Sequence, residues 1–284
     1  MITLKNERLE LLIAKKGAEI RAVKFDGNDV FWSGDEKVWQ GVSPVLFPMC
    51  GGLKDDKFVY GGKEYNLAKH GFAREMEFEE EKSGYNFVTL LLKSNENTLK
   101  SYPWEFEFRV TYKLIGKNIE VNYQVKNLSD KTMYFSVGSH EAYACPEGIE
   151  DYDIIFDKKE TLDAYELDGN LLKHQTYPII KDTNVLPLYE KYFDIDALVF
   201  KDVKSRSVSL RNRKTGREIS VDFKGCDYLL IWTKNVPEER KYICIEPWGG
   251  IPAFVDDGYE IEKKEGVDSL EPSGEFSRKH TIHF

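Results

Sequence analysis

Between Phe106 and Val125 the chain alternates apolar and polar residues with a period of two. Phe106, Phe108, Val110, Tyr112 and Leu114 share one face, and Glu107, Arg109, Thr111 and Lys113 the other, the pattern of a half-buried strand. After Gly116-Lys117 the alternation restarts, with Ile119, Val121, Tyr123 and Val125 set against Glu120, Asn122, Gln124 and Lys126, so the two runs predict a long hairpin. Shorter runs predict strands over Leu9 to Ile13, Ala18 to Phe25, Phe87 to Leu92, Val208 to Leu210, Ile219 to Phe223 and Tyr228 to Trp232. Turn chemistry separates them at Asp26-Gly27-Asn28-Asp29, Tyr60-Gly61-Gly62-Lys63, Lys82-Ser83-Gly84 and Lys214-Thr215-Gly216-Arg217. Asp35 to Gln40 offers one helical turn, but no segment sustains helical periodicity over a long element. Many short strands at close spacing predict an all-β fold, a large antiparallel β-sandwich with few short helices.

The 284 residues contain no low-complexity tract, no fixed-period repeat and no Pro/Ser-rich linker, so a single domain over 1–284 is expected. A hydrophobic share of 41%, with 13% aromatics, is ample for a packed core. The formal charge of −9 argues against nucleic acid or an anionic membrane surface as partner. No apolar run reaches the length of a membrane span and the first residues lack an apolar leader, so a cytoplasmic protein, monomer or homodimer, is expected. The four cysteines form no C-x-x-C pair and read as reduced and buried. The acidic run Glu77-Phe78-Glu79-Glu80-Glu81 reads as a solvated strand edge.

Candidate chemistry concentrates in three islands. In Cys244-Ile245-Glu246-Pro247-Trp248 one carboxylate stands among apolar neighbours, where desolvation raises its pKa and suits it to exchange protons near neutral pH. Lys69-His70-Gly71-Phe72-Ala73-Arg74 and Val137-Gly138-Ser139-His140-Glu141-Ala142-Tyr143 each set a histidine beside glycine, where another molecule's atoms can approach the backbone. For either histidine alone a hydrogen-bonded core role is the plainer reading; together with Glu246 they point to acid/base chemistry on a neutral polar substrate. His174, His280 and His283 lie in polar or C-terminal stretches and read as surface or packing residues. Pro44 to Leu53 reads as an apolar segment breaking into a glycine turn, either a pocket rim or a sheet corner. Asp196 precedes an apolar run and reads as a strand cap or a hydroxyl acceptor.

The ordered set Gly17-Ala18-Glu19-Ile20, Trp39, Ser43 to Pro48, Lys69 to Arg74, Gly138-Ser139-His140, Asp196-Ala197-Leu198 and Cys244 to Trp248 resembles the aldose 1-epimerase (galactose mutarotase) family. The likeness spans nearly the whole chain and is strongest to the LacX-type branch. It implies the galactose mutarotase supersandwich with an open sugar cleft. It further implies that a glutamate takes the proton from the C1 hydroxyl while a histidine protonates the ring oxygen, so that the ring opens and recloses as the other anomer. Matched by motif, Glu246 is the base and His140 the acid, with His70 donating to the sugar and Asp196 accepting from its hydroxyls; no metal or cofactor is implied.

Two departures stand out. The family's Gly-Arg-Leu reads Gly51-Gly52-Leu53 here, leaving Lys54 or Arg74 to supply the absent donor, and its His-Pro reads His140-Glu141. Restoring arginine at Gly52 is expected to improve turnover where the cleft has room. The implied activity is mutarotation of a free hexose such as galactose or glucose. A phosphorylated sugar is disfavoured because no arginine cluster adjoins the motifs. Two other classes are a carbohydrate-binding protein that kept the cleft without catalysis, and a glycosidase using Glu246 with Asp196 or Glu141.

Overall fold

The computed structural model describes residues 1–236 and 239–284. The hairpin read from the alternation lies within its largest sheet. Phe106–Ile115 pairs with Asn118–Asn127 in unbroken register from Phe106↔Asn127 to Ile115↔Asn118, turning over Gly116-Lys117. Its apolar face is buried and its polar face lies outside, where Arg109 forks onto Glu81 at 2.7 and 2.8 Å.

Nine strands make up this sheet, in the order Leu171–Pro187, Tyr152–Asp168, Ser207–Asn212, Glu218–Asp222, Glu275–His283, Asn118–Asn127, Phe106–Ile115, Phe87–Lys93 and Glu79–Gly84. All its ladders are antiparallel. The acidic run forms the exposed edge strand, as expected. Lys82-Ser83-Gly84 belongs to that strand rather than to a turn, since Gly84 already pairs with Phe87 and the reversal falls on Tyr85-Asn86. The strand expected from Ala18 begins at Ile20, because Gly17 and Ala18 both adopt positive φ. Asp35 to Gln40 makes a turn closed by the Val38 and Trp39 amides on the Asp35 carbonyl, without a helix.

Three strands have no clear sequence signal. Tyr152–Asp168 and Leu171–Pro187 run for 17 residues each, but register shifts interrupt their pairing and blur the period-two pattern. Glu275–His283 is mostly polar, yet it pairs with Asn118–Asn127 on one side and Glu218–Asp222 on the other and so joins the halves of the sheet.

A second, six-stranded sheet packs against the first, in the order Leu198–Phe200, Tyr228–Trp232, Tyr242–Trp248, Gly138–Ser139 and Val45–Leu46, with Glu141–Ala144 also on Tyr242–Trp248. Every residue of Tyr242–Trp248 is buried, one face against the core between the sheets and the other at the floor of a cleft. Aromatic side chains fill the space between the sheets; Phe47 lies flat on Phe108 with centroids 4.2 Å apart. Ile2–Lys5, Leu9–Ile13, Ile20–Phe25 and Asn28–Asp29 form a flanking four-stranded sheet. Among the described residues no helix is long and apolar enough to cross a membrane.

Phe47 also ties down the loop that carries His70. Its carbonyl accepts the amides of Phe72 and Ala73 at 3.1 and 3.0 Å, and its backbone bridges Gly71. Gly71 holds φ +69°, and a Cβ there would stand 2.4 Å from the Phe47 oxygen. Gly71→Ala is expected to cost about 2 kcal/mol or more through this clash and the left-handed backbone. Urea denaturation measures it; an unchanged midpoint would show that the loop shifts without cost.

Candidate active site

Strand alternation sends Ile243 and Ile245 into the core between the sheets, and Cys244, Glu246 and Trp248 to the opposite face. The register across the neighbouring strand runs through Gly138↔Trp248 and Glu141↔Ile245, which sets His140 directly opposite Glu246. Their facing atoms, Nε2 and Oε2, are 3.4 Å apart, and the side chains are 11% and 2% exposed. Two residues distant in sequence thus become a cross-strand pair. Gly138 keeps the strand close to its partner, for a Cβ there would meet Trp248 at 2.8 Å and Cys50 at 2.9 Å.

A cleft of about 570 Å³ opens over this pair, lined also by His70, Asp196, Arg74, Lys69 and Trp39. His70 holds φ +70°, a sparsely populated conformation for a residue with a side chain, kept by its amide donating to the Gly51 carbonyl. The Gly51 amide in turn donates to His70 Nδ1 at 3.2 Å. A backbone N–H can only donate, so the imidazole proton sits on Nε2, leaving that atom a donor. Asp196 is held by Trp232, whose indole N–H donates to its carboxylate at 2.7 Å. The Trp39 and Trp232 rings lie 5.2 and 5.3 Å from His140 and enclose it. Glu19, from the Gly17 to Ile20 motif, accepts the amides of Val42 and Ser43 at 2.7 and 3.0 Å and fixes the segment leading into Pro44 on the cleft wall.

Burial dominates the electrostatics. It raises the Glu246 carboxyl well above the usual carboxylate range, opposed by Lys69 and reinforced by Asp196 and Glu141. It lowers His140 to about 3, with the Lys69 charge adding to the effect. His70 is also held well below the ordinary imidazole value, first by burial and then by His140. Desolvation therefore favours a neutral Glu246 and a neutral His140, while their close approach favours carboxylate and imidazolium. The two forms differ only in which partner carries a single proton, so the pair as a unit holds one proton and no net charge. Glu246 Oε2 and His140 Nδ1 are buried without a hydrogen-bond partner, leaving acceptor and donor capacity for a ligand.

The five residues read from the sequence, Glu246, His140, His70, Asp196 and Arg74, all line this one cleft. Around Gly52 the structure corrects the expectation. Its backbone is not left-handed, but a Cβ would stand 2.7 Å from Asn170 Cβ and 2.9 Å from the Asn170 carbonyl oxygen. The space beside Gly52 is filled by the tip of the hairpin joining Tyr152–Asp168 to Leu171–Pro187, pinned where the Leu172 amide donates to Ala253 and the Ala253 amide to Gly52. Lys54 is turned to the Asp257 carbonyl and does not line the cleft.

The cations also differ from the linear picture. Lys16 and Arg21 join Lys69 and Arg74 on the cleft wall, a convergence that sequence spacing did not show. Lys16 pairs with Glu75 at 2.9 Å and Arg21 with Glu19 at 3.0 Å. Lys69 and Arg74 make no salt bridge among the described residues, and Arg74 Nε is buried without a partner.

Glu141 faces away from the cleft. Its carboxylate is bound to His280 at 2.7 Å in the interior, which removes it from any pair of carboxylates flanking a glycosidic bond. His174 meets Asp256 at the surface and His283 meets Asp222. All four cysteines are free and buried, and burial pushes Cys50 up to about 12, far from a reactive thiolate. Sequence reading missed Trp232, Lys69 and Asn170 as wall residues. The position of Trp232 at a strand end and of Lys69 beside His70 were the available signals; Asn170 had none.

Comparison with known proteins gives the chain a family and a fold. Residues 1–281 match the family model described as aldose 1-epimerase. The plasmid-borne protein LacX of Lactococcus lactis subsp. lactis is 34% identical over 295 residues, covering 99% of this chain and 98% of that protein. A galactose mutarotase related enzyme from Lactobacillus acidophilus superposes with a TM-score of 0.93 at 34% identity, covering 99% of this chain and 96% of its own. A galactose mutarotase-like protein from Lactobacillus casei gives 0.93 at 26% identity, covering 100% and 99%. With its family model matched almost end to end, its six-stranded sheet presenting a buried Glu–His pair to a cleft, and these relatives in hand, the chain belongs to the aldose 1-epimerase family.

Proposed function

We propose that the protein is an isomerase, an aldose 1-epimerase acting without a cofactor on a free hexose such as galactose or glucose. The observation that carries this reading is the pair Glu246 and His140, buried face to face at 3.4 Å in the cleft. Mutarotation needs an acid and a base in opposite protonation states on one substrate, and the pair supplies both without drawing a proton from solvent.

When a sugar enters, its C1 hydroxyl and ring oxygen offer the hydrogen bonds the two side chains lack, which favours carboxylate and imidazolium. Glu246 takes the C1 hydroxyl proton as His140 gives its proton to the ring oxygen. The C1–O5 bond breaks and the open-chain aldehyde remains, with both side chains now neutral, the form that burial favours. Rotation about C1–C2 presents the other carbonyl face. The C5 hydroxyl then attacks it, His140 recovers its proton, and Glu246 protonates the new C1 oxygen. His70, donating from Nε2, and Asp196, accepting, orient the sugar; Arg74 supplies guanidinium donors in place of the arginine absent at Gly52.

Polarimetry of freshly dissolved galactose and glucose tests the reading. A hexose 6-phosphate and a hexuronate complete the panel, because Lys69 and Arg74 line the cleft and make no salt bridge among the described residues. Acceleration of anomer exchange supports it; tight sugar binding without acceleration would make the protein a carbohydrate-binding module.

Glu246→Gln is expected to lower kcat by about a hundredfold or more. The same variant should gain stability at neutral pH. The folded-state pKa of Glu246 lies above its unfolded value, so its burial favours folding below the unfolded pKa and this contribution is lost as pH rises. Glutamine has no such loss, so its Tm advantage should be present at pH 7 and shrink toward pH 4. A variant less stable at pH 7 would contradict a desolvated carboxyl.

The pair also sets a pH profile. Gaining a proton on His140, lowered to about 3, or losing one from Glu246, raised, leaves a lone buried charge. The value of kcat/KM should therefore stay level across neutral pH and hold as pH falls through about 6.5, the ordinary histidine value. An acid limb at that value would mean that the acid is a solvated imidazole.

Gly52→Arg is expected to cost about 1 to 3 kcal/mol by overpacking against Asn170, without raising kcat/KM. Denaturation and steady-state kinetics check it; a stable variant with improved kcat/KM would show that the hairpin tip yields.

A further inference from the structure

Behind the acid/base pair lies a second buried pair. Glu141 follows His140 and is opposite Ile245, so alternation turns its side chain inward as His140 faces the cleft. Its carboxylate crosses the space between the sheets to His280 Nε2 at 2.7 Å, both side chains 2% exposed. His280 belongs to Glu275–His283, the strand that joins the halves of the nine-stranded sheet. The pair therefore clamps the strands carrying His140 and Glu246 to the opposite layer, immediately behind the reacting groups.

Its surroundings make such a pair costly. Glu141 Oε2 and the Tyr143 hydroxyl are buried without hydrogen-bond partners. The titratable groups around Glu141 are His280, Tyr123 and Tyr112 from the large sheet, Tyr143 from its own sheet and Cys226 from a loop, with Cys244 and Glu246 on the other side of the sheet. His280 is the one basic group in this set. Apolar residues of similar size fill such a space at no loss of stability, and often with a gain. Clamping alone does not require a carboxylate; the proton balance of the site gives it a use.

We propose, resting on the mutarotase reading above, that Glu141 and His280 are positioning residues of the acid/base site: they brace the strands bearing His140 and Glu246, and keep a carboxylate behind Glu246 that helps the catalytic pair retain its proton. The orientation of the pair supports this, since its acidic end lies in the site's own sheet and its imidazole end in the far layer. The titratable groups around Glu246 are His140, Lys69, Asp196 and Cys244 on the cleft side of the sheet and Glu141 behind it. Lys69 favours loss of the Glu246 proton, while Asp196 and Glu141 oppose it.

Glu141→Gln separates charge from shape, because it keeps an acceptor for His280 and removes the negative charge. The alkaline limb of kcat/KM should move to lower pH by about half a unit or more, with KM little changed. His280→Gln, which keeps a donor to Glu141 and leaves its charge, should retain the wild-type limb. A readout independent of turnover is the carboxylic-acid stretch of Glu246 in difference infrared spectra, assigned by its loss in Glu246→Gln. It should disappear at lower pH in Glu141→Gln than in wild type. If the wild-type protein accelerates no anomer exchange, the mutarotase reading fails while the infrared comparison still decides the coupling. Should Glu141→Gln not fold, the double variant Glu141→Leu/His280→Leu carries both measurements, with lower kcat and the same infrared shift expected. A wild-type pH profile and infrared titration in whichever variant folds would overturn the proposal and leave the pair a packing feature.

Discussion

Everything at the site depends on the desolvation of Glu246. A carboxyl on a strand whose residues are all buried cannot ionise as it would in water, and on one side the group opposite it is an imidazole under the same constraint. Burial pushes both toward neutrality and proximity pushes both toward charge, so hydrogen bonding from a ligand bears directly on which partner holds the proton. On the proposed mutarotase reading a hexose supplies that hydrogen bonding, with a hydroxyl at C1 and an ether oxygen in the ring.

The rest of the fold holds that balance in place. Antiparallel register on either side of His140, from Gly138↔Trp248 to Glu141↔Ile245, sets it against Glu246. His70 reaches the same cleft from a loop held to Phe47 and Gly51, in a left-handed conformation that its hydrogen bonds maintain. Phe47 packs on Phe108 of the hairpin, so the binding loop is referred back to the central core. At the cleft itself the left-handed His70 and the unpartnered atoms of Arg74, His140 and Glu246 stand where a ligand would meet them.

Two local departures from the family pattern acquire different meanings in three dimensions. At Gly52 the missing arginine leaves no empty space, because Asn170 occupies it; the wall has been rebuilt by a different element. At Glu141 a carboxylate replaces a residue that could carry no charge, and it has acquired a partner, His280, from the last strand. A position that looks like simple loss is a substitution of parts, and one that looks like surface variation lies in the core.

The sequence by itself determined the fold class, the central hairpin and the islands around Glu246, His70 and His140, because period-two alternation, turn residues and a carboxylate among apolar neighbours are local signals. Asp196 and Arg74 were assigned to the site through the family resemblance. The long irregular hairpin from Tyr152 to Pro187 was not legible, since its register shifts erase the alternation. Nor was the mostly polar strand Glu275–His283, whose place depends on the strands beside it. Only the tertiary structure decided that His140 stands opposite Glu246, that Lys16 and Arg21 converge with Lys69 and Arg74, that Asn170 fills the place beside Gly52, and that Glu141 turns inward to His280. Each is a contact between segments far apart in the chain, fixed by sheet register and interlayer packing, and no local pattern of residue types encodes either.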